Sequence, residues 1–108
     1  MVIYAINKPL LDYMQTVNIE RKYEMPTIST FYGMSVKMYF QQSEHNPPHF
    51  HVIYGEFAGV IEIESLQMIE GDLPVKALTL VREWAETYKK ELLSIWNTQT
   101  FTKIPPLV

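Results

Sequence analysis

No cysteine occurs among the 108 residues of this chain. Disulfides and thiolate metal sites are therefore excluded, and a reducing compartment fits. Glycine is scarce, with 4 residues, and none falls in a phosphate-cradling loop, a nucleophile elbow or a dinucleotide fingerprint. No apolar run approaches the roughly 20 residues that a membrane-spanning helix needs. The apolar start, Met1-Val2-Ile3-Tyr4-Ala5-Ile6, stops at Asn7 and is too short and wrongly flanked for a signal peptide. The expectation is a cytoplasmic protein without a membrane partner. Basic residues are also few, 9 against 12 acidic, for a net charge of −3. Arg21-Lys22 and Lys89-Lys90 are the only adjacent basic pairs. Composition thus argues against a broad basic face for nucleic acid and leaves room only for a local basic groove.

What is present is a globular composition, 47% hydrophobic, sufficient for one core in one domain. Leu10, Leu11, Met14 and Val17 recur at helical spacing, with Asn7 as a cap and Pro9 in the first turn; a short helix is expected over 8–17. A polar connector follows over 18–25. Residues 28–32 are β-prone and end at Gly33. Met34, Val36, Met38 and Phe40 then alternate with Ser35, Lys37 and Tyr39, the period of a half-buried strand. A polar loop over 41–48 leads into a strand over 49–54, a turn at Tyr54-Gly55-Glu56, and a further strand over 58–64.

Gly71-Asp72-Leu73-Pro74 reads as a helix start, with Asp72 as cap and Pro74 in the first turn. Val75, Leu78, Val81, Ala85, Tyr88, Leu92 and Trp96 continue an apolar stripe along one long helix, or two with a break near Lys89-Lys90. Residues 101–108 should be an extended tail. The expected fold is α+β: a short N-terminal helix, a three- to four-stranded antiparallel sheet, and a C-terminal helix or helix pair packed on one face.

All three histidines lie within the segment His45-Asn46-Pro47-Pro48-His49-Phe50-His51. His49 and His51 are two apart on a predicted strand, so both side chains leave the same face, with Cα atoms roughly 6.5–7 Å apart. Phe50, Val52 and Tyr54 point to the core. His45 precedes a prolyl pair that stiffens its loop. Three readings stay open. His49 and His51, with His45 or a glutamate, can hold a divalent metal such as zinc in an open site. His49 or His51 can act without metal as an acid–base group. The histidines can also be structural, packed against aromatics and bonded to backbone. The remaining features read as structure: Met34 and Met38 as core, Trp84 and Trp96 as packing anchors, Glu62 and Glu64 as an exposed strand face.

From Met25 onward the chain resembles a bacterial family, domain of unknown function 4160. The resemblance rests on Met25-Pro26-Thr27-Ile28-Ser29, Phe31, Gly33, Met38-Tyr39-Phe40, the histidine heptad, Tyr54-Gly55, Gly71, Leu73-Pro74, Ala77, Leu80-Val81, Trp84-Ala85, Glu91-Leu92 and Trp96. Family members often begin near Met25, which makes residues 1–24 an N-terminal extension and 25–108 a single α+β domain. Genes of this family often lie beside those of another small family, domain of unknown function 2442. The resemblance therefore implies a bacterial cytoplasm and a small partner protein encoded by a neighbouring gene, in a two-gene toxin–antitoxin-type or regulatory module.

The element order is similar to double-stranded-RNA-binding-like folds, used by some ribonuclease toxins with a histidine on the sheet; this is analogy of fold alone. Two functions from different classes follow as expectations. One is a toxin-like component acting on RNA through His49 or His51. The other is a non-enzymatic, metal-binding or regulatory interaction module. Sequence leaves open whether the chain is an enzyme.

Overall fold

The computed structural model describes residues 25–39 and 47–108. The expected helix over 8–17, and with it the extension of residues 1–24, lies outside the described residues. Five strands form one antiparallel sheet in chain order: β1 (Thr27–Phe31), β2 (Met34–Lys37), β3 (His49–Tyr54), β4 (Phe57–Glu62) and β5 (Met68–Asp72). Two helices follow, α1 (Val75–Thr87) and α2 (Lys89–Thr98).

Local chemistry accounts for the hairpins. Between β1 and β2, Tyr32 and Gly33 take φ of 47° and 81°. Positive φ at both central residues is what a two-residue turn needs to match strand twist. Between β3 and β4, Gly55 takes φ of 60° and the strands close in perfect register from Tyr54↔Phe57 to His49↔Glu62.

Period-two alternation then sorts the side chains. Phe31, Met34, Val36, Phe50, Val52, Ile61 and Ile63 are buried on one face, against Ala77, Val81, Trp84 and Ala85 of α1 and Leu92 and Ile95 of α2. Met38, next in the alternation after Val36, is fully buried in the same core. Trp84 is the anchor, with ring centroids 5.3 Å from Phe31 and 6.0 Å from Phe50. Its indole Nε1–H donates to the Pro105 carbonyl at 2.8 Å, and Ile104 N–H donates to the Ile28 carbonyl at 3.0 Å. The tail therefore straps the β1 edge to α1.

Two expectations are corrected. The sheet has five strands, where three to four were expected. The additional strand, β5, carries only Ile69 as a β-branched residue. It is exposed at Ile69 to Asp72 and bulged between Val60 and Ile61 of its neighbour. It therefore shows no alternation to read. Asp72 belongs to that strand and does not cap the helix; Pro74 takes the N-cap place, with no side-chain cap hydrogen bond. The helix pair does break, at Tyr88, with φ of −109°, one residue before Lys89-Lys90.

Candidate functional site

The face of the sheet opposite the helices carries the histidines. β2 pairs with β3 as Lys37↔His51, and β3 pairs with β4 as His49↔Glu62 and His51↔Val60. β1 adds Thr27↔Lys37 and β5 adds Val60↔Glu70. One row across all five strands is thus Thr27, Lys37, His51, Val60 and Glu70. The polar groups divide: Lys37 and the imidazoles stand over β2 and β3, while Glu62, Glu70 and Asp72 stand over β4 and β5. Among the described residues no helix covers this face, apart from the end of α2 at Trp96.

His49 and His51 come together as strand alternation requires, with ring centroids 5.3 Å apart and planes at 67°. His49 is 9% exposed. Its other flank meets the Trp96 indole, 4.9 Å between centroids. His49 Nδ1 lies 2.8 Å from the Pro47 carbonyl oxygen. A carbonyl only accepts, so Nδ1 carries the proton and donates it. In the neutral ring this leaves Nε2 as the acceptor nitrogen. The prolyl pair is itself tied down, because Ile63 N–H donates to the Pro48 carbonyl at 3.0 Å. His51 is the half-exposed member of the pair. Its ring stands edge-on to that of the buried Tyr39, 4.5 Å between centroids.

The third sequence candidate, His45, lies outside the described residues. Among the described residues no group of three His, Cys, Asp or Glu side chains could hold a metal ion, so His49 and His51 offer a metal two imidazoles. Glu62 stands opposite His49 in register, but its Oε1 accepts the Ser65 hydroxyl at 2.5 Å, tying it to the β4–β5 turn.

Lys37, Tyr39 and Trp96 border the histidine pair and were not singled out as site residues. Two of them could have been found, because Lys37 and Tyr39 alternate with Met34, Val36 and Met38 and must therefore leave the histidine face. Lys37 Nζ donates to Thr27 Oγ1 at 2.7 Å, and burial pushes the ammonium below the usual lysine value. Trp96 gave no such signal, since its stripe position reads as packing.

A separate concavity of about 180 Å³ opens on the helix face, at the hairpin end, between Tyr32, Met34, Tyr54, Pro74, Ala77 and Leu80. It shares no residue with the histidine site. Tyr32 is 58% exposed at its rim. Among the described residues no helix is long and apolar enough to cross a membrane.

No curated protein and no solved structure matches the chain. A family model does, over residues 33–97, with the description Domain of unknown function (DUF4160). The match runs from the β1–β2 turn through most of α2 and takes in the whole histidine heptad; it includes neither β1 nor the C-terminal strap. With more than half of its length matched, the chain belongs to the family described as domain of unknown function 4160.

Proposed function

We propose that this protein is a toxin-like RNA-cleaving component of a two-gene module, with His51 as the acid–base residue and His49 as the residue that positions it. The observation that carries the reading is the pairing of the two imidazoles: a half-exposed ring whose neighbour is buried, fixed in tautomer by a backbone carbonyl and shielded by Trp96. A buried, backbone-bonded histidine beside an accessible one holds the latter's orientation at little entropic cost.

The chemistry needs one proton acceptor that can return the proton. His51 takes the proton of a ribose 2′-hydroxyl, and O2′ bonds to phosphorus. The P–O5′ bond breaks, and the imidazolium gives its proton to O5′. The products are a 2′,3′-cyclic phosphate and a 5′-hydroxyl end. Such a group contributes typically 10²–10⁴-fold to rate. Among the described residues no helix lies over β2 on the histidine face, and an uncovered sheet surface of that kind accommodates a single strand, the form in which RNA bases and ribose are accessible.

The test is induced expression in bacteria, with RNA cleavage by the purified protein as the direct assay. Wild type arrests growth and yields cyclic-phosphate ends, while folded His51→Ala loses at least about a hundredfold in cleavage rate. A folded His51→Ala variant that cleaves RNA and arrests growth like wild type overturns the reading.

A second reading, a non-enzymatic module for the neighbouring gene's product, is favoured by Tyr32. A bulky aromatic residue held at positive φ and largely exposed is costly for a turn that Asn or Gly fills without strain. On that reading Tyr32→Asn weakens the complex, and His51→Ala leaves it intact.

A further inference from the structure

Lys37 occupies a place on the histidine face that its surroundings leave electrically incomplete. An ammonium has three donors. Among the described residues, one of them goes to Thr27 Oγ1 and no carboxylate pairs with the group. Among the described residues the acids of this face stand on the far side of His51: Glu62 opposite His49, Glu70 opposite Val60 and Asp72 opposite Ala58. Glu62 is also engaged by Ser65. Lys37 is half-buried, so part of its hydration is already lost. A cation stripped of water gains most from an anion that meets its remaining donors.

Register places the components. Thr27, Lys37 and His51 are successive cross-strand partners, and side chains so paired have Cβ atoms roughly 4.5–5.5 Å apart. The hydroxyl holds the ammonium on the β1 side, and the imidazole stands on the β3 side. An oxyanion above β2 reaches both the ammonium and the His51 ring.

We propose that Lys37, Thr27 and His51 form an anion site for phosphoryl oxygens, in which Lys37 holds the group that His51 acts upon. The anion site stands on the geometry alone; its assignment to an RNA phosphodiester rests on the RNA-cleaving reading above. During cleavage, negative charge grows on the non-bridging oxygens as O2′ bonds to phosphorus. A lysine fixed beside them stabilises that charge without reorganising.

The experiment is a chemical-shift titration of the full chain at constant pH with three probes: inorganic phosphate, a ribodinucleoside monophosphate and its deoxyribose counterpart. In wild type, resonances of Lys37, Thr27 and His51 move and saturate. Lys37→Met weakens phosphate binding by roughly tenfold or more, the loss of one charge-assisted hydrogen bond. Lys37→Arg stays within about threefold of wild type, and Lys76→Met on α1 has no effect. The absence of any saturable shift in wild type overturns the site without recourse to a variant. So does unchanged phosphate binding in folded Lys37→Met.

The two dinucleotides test the source of the anion: tighter binding of the ribose form than of free phosphate supports RNA, and equal binding overturns that assignment. RNA cleavage that persists in Lys37→Met, with phosphate still bound, removes Lys37 and leaves the His51 reading standing. Lys37-dependent phosphate binding in a protein that cleaves no RNA does the reverse.

Discussion

Replacing Gly71 with alanine should unfold this protein more readily than the same change at Gly55, for a reason that can be separated into two parts. Gly71 sits in β5 with φ of 96°, a conformation in which an L-residue is strained by roughly 1–2 kcal/mol. Gly55 shares that liability, at φ of 60°. The two differ in surroundings. A methyl at Gly55 meets nothing within 4 Å. A methyl at Gly71 runs into the Ala58 carbonyl oxygen and lies 2.7 Å from the Gly59 Cα. Both are backbone atoms of the paired strand, so no side-chain rotation relieves the contact. β5 must move off β4, which opens the ladder at Ala58↔Asp72 and Gly59↔Gly71. Overpacking against an immovable wall adds typically 1–3 kcal/mol.

The expected totals are about 1–2 kcal/mol for Gly55→Ala and about 2–5 kcal/mol for Gly71→Ala. At roughly 4–8 °C per kcal/mol for a domain of this size, the former lowers Tm by roughly 4–16 °C and the latter by a further 4 °C or more, read by calorimetry or circular dichroism melts. Equal melting temperatures for the two variants would refute the reasoning, because the shared φ cost cancels and only the backbone contact distinguishes them.

Other expectations follow from single features. The Ser29 hydroxyl is buried and has no hydrogen-bond partner among the described residues, so Ser29→Ala should raise stability by up to about 1 kcal/mol, measured by urea denaturation. Lys37→Met removes a half-buried cation that has one hydroxyl partner, and its unfolding free energy should stay within about 1 kcal/mol of wild type; a larger loss would mark Lys37 as a structural residue. Ending the chain after Lys103 deletes Ile104, which is 4% exposed, together with both strap hydrogen bonds. A loss of about 3 kcal/mol is expected in the same denaturation assay.

Much of the histidine strand was legible because its signal is local. Alternation over residues 49–54 is enough to place His49 and His51 together and Phe50 and Val52 in the core, whatever the neighbours. The break between the helices was legible only as one of two alternatives, because the apolar stripe of Val81, Ala85, Tyr88, Leu92 and Trp96 runs through it with unchanged spacing. The rest depended on partners distant in sequence. That Lys37 stands opposite His51 follows from the pairing of β2 with β3, which are separated by eleven residues (38–48), too many for the short-hairpin rules to set the register. Trp96 meets His49 only because α2 ends over the start of β3. β5 was hidden by its composition: Glu70, Gly71 and Asp72 read as turn residues, and they form a strand because β4 supplies the partner for their backbone groups.

The strap has a temporal meaning. Each strand pairs with the one made just before it, so the sheet can close hairpin by hairpin as the chain emerges. Trp96, which shields His49, and Ile104 with Pro105, which seal the first strand and the anchor indole, all follow the last strand in the chain. A chain made only as far as β5 therefore carries His49 without the Trp96 indole and its first strand without the strap.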